Sequence, residues 1–393
     1  YRSCLNRNSG LSNSRESCPM KQTVYFDHNA TTPVRAEVAE AVAGALALTG
    51  NASSVHTAGR HARQSVEQAR EHIAELVGVS PAQIVFTGSG TEANNLVLRG
   101  TDCPHVLASE VEHYSVLAAA DNIELLPVDG DGVIDVAVLK SRLEDLDGPA
   151  LVSVMLANNE TGVIEPAAEI SRIAKEHGAL IHTDAIQAAG KIKVDWVELG
   201  VDFISLSAHK IGGPQGIGAL VMNEDIPLTS LIRGGGQERS RRAGTENVPG
   251  IVGFGAAAKL AAENLGKANE IGILRDHLEL RVKEIAPDAE VFGESVERLP
   301  NTTCLTMPNI ASETQVMKFD LTGIMVSAGS ACSSGKVQTS HVLKVMGIVE
   351  DVASTAIRVS LGHGNTMDEV EHFVSQWREI YTQANPDKLK GVA

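Results

Sequence analysis

The sequence predicts an α/β protein: a mostly parallel central sheet covered on both faces by helices, with a smaller α+β domain beside it. Three observations carry this expectation. Between residues 84 and 222, short apolar runs alternate with amphipathic stretches of helical period. Beyond about residue 263 that alternation stops, and a long charged amphipathic stretch leads into separated strands. At 393 residues the chain also exceeds what one hydrophobic core ordinarily supports. The expected division is a large domain over 33–263 and a small one built from 20–32 and 264–393.

In order along the chain, Val24-Tyr25-Phe26 is apolar. The polar segment Asp27-His-Asn-Ala-Thr-Thr-Pro33 then ends at the start of a helix over 35–48. Gly50-Asn-Ala-Ser-Ser-Val-His56 is too polar for core and reads as a loop. Val66, Ala69, Ile73 and Leu76 fall at helical spacing within 60–77, and Gly78 supplies the stop. Buried strands are expected at 84–86, 105–108, 125–128, 151–156, 180–182, 203–206 and 218–222, with helices at 93–98, 112–120, 135–146, 167–177 and 185–190 between them. A helix over 268–286 follows, then an irregular Gly/Ser/Ala stretch at 327–335 and a strand at 357–361. The last helix opens on the capping box Thr366-Met-Asp-Glu369 and carries Val370, Phe373, Val374 and Trp377 on one face.

Hydrophobic content of 43% and charged content of 21% are those of a globular protein, and no apolar run approaches membrane-spanning length. A net charge of −16 argues against direct nucleic-acid binding, which needs a basic footprint. Cys4, Cys18, Cys103, Cys304 and Cys332 are scattered, with no CxxC pair and no zinc-ligand spacing, so no metal site is expected and a reducing, cytoplasmic setting fits best. Residues 1–19 are rich in Ser, Asn and Arg and lack apolar periodicity. They read as vector-derived or upstream-translated sequence ahead of a natural start at Met20, with a transit peptide as the rival.

Chemistry is expected where strands end. Ser207-Ala-His-Lys210 follows the strand 203–206, and a residue just past a strand's C-terminus lies where open α/β sheets bind ligands; taken alone, Lys210 would pass for a solvated surface lysine. Asp184 stands just past another buried strand. A pyridoxal-phosphate site needs a lysine that links the cofactor and a carboxylate that keeps the pyridine nitrogen protonated, and these two are the candidates. Asp184 could instead cap a helix over 185–190; both roles are compatible if different oxygens serve them. Thr87-Gly-Ser-Gly-Thr-Glu92 lies between strand and helix, so its N–H groups can cradle a phosphate, although it matches neither GxxxxGK[ST] nor GxGxxG and a plain tight turn reads equally well. His113 could stack on the pyridine face, or serve only in packing. Asn158-Asn-Glu160 could bond the ring's phenolate oxygen, or form a simple turn.

Together these pieces resemble the cysteine desulfurases of the NifS/IscS type, in the aspartate-aminotransferase-like fold type I of pyridoxal-phosphate enzymes. The resemblance rests on Asp27-His-Asn-Ala-Thr-Thr-Pro33, Gly50-Asn-Ala-Ser-Ser-Val-His56, Gly90-Thr-Glu-Ala-Asn-Asn95, Glu112-His113, Asn158-Asn-Glu160, His182-Thr-Asp-Ala-Ile-Gln187, Ser207-Ala-His-Lys210, Gly234-Gly-Gly-Gln-Glu238, Arg242-Ala-Gly-Thr245, Ser330-Ala-Cys332 and Ile357-Arg-Val-Ser360. They span nearly the whole chain after Met20, in family order. Ala52 departs from the family's usual proline, which touches a loop's rigidity only.

The resemblance implies that Lys210 carries the cofactor, Asp184 pairs with its ring nitrogen and His113 stacks on the ring. It places Asn159 and Gln187 on the phenolate side. Gly90, Thr91, Ser207 and His209 fall around the phosphate, with Thr245 reaching across to a partner's site in a homodimer. Arg358, Asn159 and Asn29 would hold the substrate's carboxylate, a task that suits an arginine fork. Cys332, in the small polar run Ser327-Ala-Gly-Ser-Ala-Cys-Ser-Ser-Gly335, would take sulfur from L-cysteine as a persulfide and pass it to an iron–sulfur scaffold or a sulfur-relay protein. A small buried cysteine is the plain alternative. Rival readings of the whole are a selenocysteine lyase, an aminotransferase of the same fold, and a non-catalytic scaffold that docks sulfur-transfer proteins.

Overall fold

The structure, a computed structural model, describes residues 23–329 and 339–386; the 1–19 extension and Cys332 lie outside the described residues. Seven strands form the central sheet. Their spatial order is Ile84–Thr87, Gly218–Met222, Phe203–Ser207, Leu180–Asp184, Ala150–Ser153, His105–Ser109 and Ile123–Leu126. All pair in parallel except Gly218–Met222, which runs antiparallel to both neighbours. The inner strands are buried throughout, apart from the half-buried first residues His105 and Leu180, as a sheet covered on both faces requires. Buried polar residues in this interior satisfy one another: His182 lies between Ser153 (2.8 Å from Nδ1) and Ser205 (2.9 Å from Nε2), and burial drops its pKa to about 3, so the ring stays neutral.

Helices cover the sheet through apolar stripes. Thr57–Val77 buries Ala62, Val66, Ala69, Ile73 and Val77 and stops at Gly78 in the left-handed conformation (φ 72°). It packs on Val248–Asn264, where Gly255 lets the two backbones approach; a Cβ there would lie 2.5 Å from the Cα of Ala69. A second core gathers Val24 and Phe26 with Leu278, Val282, Phe319, Phe373 and Trp377, around the antiparallel strands Ser327–Ala328, Ala356–Ser360 and Thr302–Thr306. Thr366 opens the last helix, Met367–Ala384, with both halves of its capping box formed.

Two expected helices differ. Residues 185–190 form turns: the Ala189 N–H reaches the Ala185 carbonyl (2.9 Å) in one helical turn, but Ala189 bridges to Ile192 and Gly190 takes φ 75°, so no helix propagates. The helix expected over 112–120 is confined to Tyr114–Leu117. Among the described residues no helix is long and apolar enough to cross a membrane, and no group of His, Cys, Asp and Glu could hold a metal ion.

Candidate active site

The parallel strands deliver their polar ends to one edge of the sheet. Leu180–Asp184 ends on Asp184, and Phe203–Ser207 ends on Ser207 and turns through Ala208–Lys210. His105–Ser109 leads to His113, Ala150–Ser153 leads to Asn159, and Ile84–Thr87 leads to the helix Gly90–Gly100. Strands this deeply buried can carry reactive groups only where they end. The turn before His113 is braced by Glu112, fully buried, whose Oε1 accepts the Met155 N–H (2.6 Å) and the Ser109 hydroxyl (2.9 Å). Burial pushes that carboxyl well above the ordinary range.

A hydrogen-bonded chain ties Asp184 to His113. The Asn94 amide donates to Asp184 Oδ2 (2.7 Å) and to Ser115 Oγ (2.8 Å). Ser115, an acceptor there, donates its proton to His113 Nδ1 (2.8 Å), which also accepts the Ser115 N–H (3.1 Å). The proton of neutral His113 therefore sits on Nε2. Although part of its ring is exposed, desolvation by the surrounding chain holds the His113 pKa below the ordinary value. Burial raises that of Asp184, against the pull of Asn94, the Ile186 N–H, His113 and Lys210. The two Asp184 oxygens do divide their roles: Oδ1 takes the Ile186 N–H (2.9 Å) in a turn, not a helix cap, while Oδ2 takes Asn94. Asn94 and Ser115 were not among the candidates read from sequence. The available signal was an amide at position 94, on a helix face otherwise made of Ala93, Leu96 and Val97.

Lys210 Nζ donates to the carbonyls of Asn29 (2.5 Å) and Ala30 (2.9 Å). Burial of its amine and the Arg358 guanidinium bring its pKa down to about 8. Gln187 Nε2 donates to the same Asn29 carbonyl (3.0 Å). The Asn29 side chain is fully committed within the protein: Nδ2 donates to Thr302 Oγ1 (2.9 Å) and the Asn159 carbonyl (3.2 Å), and Oδ1 accepts from Asn301 (3.1 Å) and Lys191 (2.7 Å). A second amine, Lys191, thus stands beside the first; sequence reading passed over it because it follows no strand.

At the phosphate end, the Gly88 N–H is already taken by Glu92 Oε2 (2.7 Å), while Arg242 Nε holds the other oxygen, Oε1 (2.9 Å). The N–H groups of Gly90 and Thr91 take no acceptor among the described residues. Gly90 faces Ile186 so closely that a Cβ would lie 2.2 Å from Ile186 Cδ1. His209 contacts Thr31 Oγ1 (3.3 Å), and burial with Lys210 nearby lowers its pKa to about 4, leaving it a neutral donor. Ser207 is buried at the strand end. On the other side, Arg358 donates to Asp27 Oδ1 (2.7 Å) and the Asn159 carbonyl (2.9 Å). Its Nε and the Asn159 Oδ1 are buried without a partner. Thr245 is exposed and joins none of these bonds.

This donor set suits pyridoxal phosphate. A buried carboxylate awaits a cationic ring nitrogen, a lowered-pKa lysine can link the aldehyde, free N–H groups at a helix start can take the phosphate, and the unpartnered Arg358 Nε–H remains as a donor for a carboxylate.

The profile of the family described as "Aminotransferase class-V" matches residues 24–373. The chain is 41% identical over 368 residues to the cysteine desulfurase IscS of Dictyoglomus turgidum, covering 90% of this chain and 93% of that protein. It is 41% identical over 377 residues to a cysteine desulfurase of Cereibacter sphaeroides, covering 92% and 96% respectively. Among solved structures, a NifS-like protein from Rickettsia africae superposes with a TM-score of 0.86 at 38% identity, over 91% of this chain and 99% of that one.

Proposed function

This chain belongs to the class-V aminotransferase family and is a pyridoxal-phosphate-dependent cysteine desulfurase of the NifS/IscS type; on that premise we propose how its residues divide the work of converting L-cysteine to L-alanine. The observation that carries the assignment of roles is the meeting of Lys210, Asp184 and His113 at one edge of the sheet, each bearing on the others' charge.

Lys210 would hold the cofactor, with Asp184 pairing its ring nitrogen and His113 stacking on its ring. Gly90, Thr91, Ser207 and His209 would hold the phosphate, and Gln187 and Asn159 the phenolate side. Bound pyridoxal phosphate supplies an electron sink for the pair left when the substrate's α-proton departs. Arg358 and Asn159, with Asn29 bracing both, seat the carboxylate of L-cysteine. Lys210, with a pKa of about 8, takes the α-proton as a free amine near neutral pH. The Cys332 thiolate attacks the substrate sulfur: an S–S bond forms, the substrate's Cβ–S bond breaks, and that pair stays with the three-carbon fragment. His113, once it carries a second ring proton, gives one to Cβ of that fragment, Lys210 returns the other to Cα, and alanine leaves. The Cys332 persulfide passes to an iron–sulfur scaffold or a sulfur-relay protein, in a cytoplasmic homodimer. In this reading the large domain spans 33–263, and the smaller one, from 20–32 and 264–393, carries Cys332; the separate core around Phe26, Phe319 and Trp377 supports that division.

The test is Cys332→Ser. The variant should bind pyridoxal phosphate as wild type does and still change its absorption spectrum on adding L-cysteine, because no proposed cofactor ligand involves the thiol. Sulfide release per cofactor-bound subunit should fall to background, since a hydroxyl is a far weaker acid than a thiol and cannot form a persulfide. Retention of most of the wild-type rate would remove Cys332 from the reaction.

A further inference from the structure

Lys191 follows Gly190, whose positive φ turns the chain back toward the site. Its Nζ lies 2.7 Å from Gln187 Oε1 and 2.7 Å from Asn29 Oδ1. A lysine nitrogen so placed can only donate to amide oxygens, so these contacts fix which way both amides face. With Oε1 held by Lys191, Gln187 must present its Nε2 to the site. One of its hydrogens goes to the Asn29 carbonyl (3.0 Å), which Lys210 also contacts, and the other remains for a ligand. With Oδ1 held by Lys191 and Asn301, Asn29 must turn its Nδ2 to Thr302 and to the Asn159 carbonyl, the same oxygen that receives Arg358. One amine thus sets the amide on the phenolate side and braces the backbone on the carboxylate side.

We propose that Lys191 is a positioning residue for the desulfurase site: it aims the Gln187 amide at the cofactor's phenolate oxygen and locks Asn29 beneath Asn159 and Arg358. The inference rests on the assignment of Gln187 to the phenolate side. Its weight is electrostatic as well as geometric. Among the described residues no carboxylate partners Lys191, and Lys210 and Arg358 stand nearby, so its N–H dipoles add to a cluster of positive groups around the place where phenolate charge would rest.

The test uses full-length protein stripped of pyridoxal phosphate and reloaded, with Lys191→Met, Lys191→Arg, Gln187→Ala and the Lys191→Met/Gln187→Ala double variant. Cofactor affinity by titration and the pH midpoint of the bound cofactor's visible band are both read without turnover. Lys191→Met should weaken affinity about fivefold, the scale of one or two neutral hydrogen bonds, and shift the midpoint upward, while Lys191→Arg, which keeps its donors, should stay near wild type. In the Gln187→Ala background, Lys191→Met should add little further loss of affinity, because the amide it aims is gone, and should keep only a reduced upward shift of the midpoint from its own N–H dipoles. A lowered melting temperature with affinity and midpoint unchanged, or a full-sized effect without Gln187, would overturn the proposal. Should Lys191→Met not fold, Lys191→Gln read against Lys191→Arg applies the same criteria. Wild type that binds the cofactor but releases no alanine from L-cysteine would sink the desulfurase reading alone, leaving the Lys191 comparison to be judged on binding.

Discussion

Lys210 has to be a cation held in place and also a free amine at neutral pH, and its surroundings reconcile the two. The carbonyls of Asn29 and Ala30 fix the nitrogen, while burial and Arg358 bring its pKa to about 8 from an ordinary 10.5. At pH 7 about a tenth of such a group is already deprotonated, against less than about a thousandth of a free lysine. In protein stripped of cofactor, modification of Lys210 by an amine-selective reagent should therefore rise with pH around a midpoint near 8, and Arg358→Gln should move that midpoint upward. A midpoint near 10 would contradict the lowered value. The sign for stability follows: the folded-state pKa lies below the unfolded one, so between about pH 8 and 10.5 the unfolded chain binds more protons, and this group adds stability as pH rises through that window. Lys210→Ala should abolish the cofactor adduct fixed by borohydride; an adduct mapped to the neighbouring Lys191 would overturn the choice between the two amines.

The elements matter through how closely their ends approach. Gly218 opens an antiparallel strand directly behind the turn at Ser89 and Gly90, where a Cβ would lie 2.5 Å from the Ser89 carbonyl carbon and 2.8 Å from the Gly90 nitrogen. These are backbone atoms, so the clash cannot be relieved by a rotamer; the turn carrying the phosphate donors must shift. Gly218→Ala should cost on the order of 1–3 kcal/mol of stability, as overpacking does, and weaken cofactor binding more than Gly44→Ala, where a Cβ meets nothing within 4 Å. Melting curves and cofactor titrations of the two variants decide it, and equal cofactor affinity in both would show that the turn absorbs the methyl.

On the scale of the whole molecule, the exposure of Thr245 is the informative feature. Every other described candidate belongs to the hydrogen-bonded cluster or its rim, whereas Thr245 lies outside on the segment between Arg242 and the helix Val248–Asn264. An exposed ligand makes sense if it completes the phosphate site of a second copy. Thr245→Ala should then weaken cofactor binding while leaving a dimer intact in sedimentation. A monomer that is fully loaded and active at assay concentration would refute the shared site.

The sequence alone determined the alternating architecture, because burial on both faces of a parallel strand writes itself as short continuous apolar runs. It also determined the residues that stand where those runs stop: Asp184, Lys210, His113 and Asn159 follow strands, and the turn at Gly90 precedes a helix. What it could not contain were relations between distant segments. The helix expected over 185–190 failed because a left-handed glycine and the bridge from Ala189 to Ile192 outweighed local propensity. Only the folded chain brought Asn94 to Asp184, ninety positions away, and Lys191 to Asn29, separated by 162. Hydrogen-bond partners across such separations leave no periodicity in the chain, since they are chosen by the packing of strand ends and not by spacing along the backbone. That packing also decided which way each amide faces, which partner each oxygen of Asp184 takes, and which nitrogen of His113 keeps the proton.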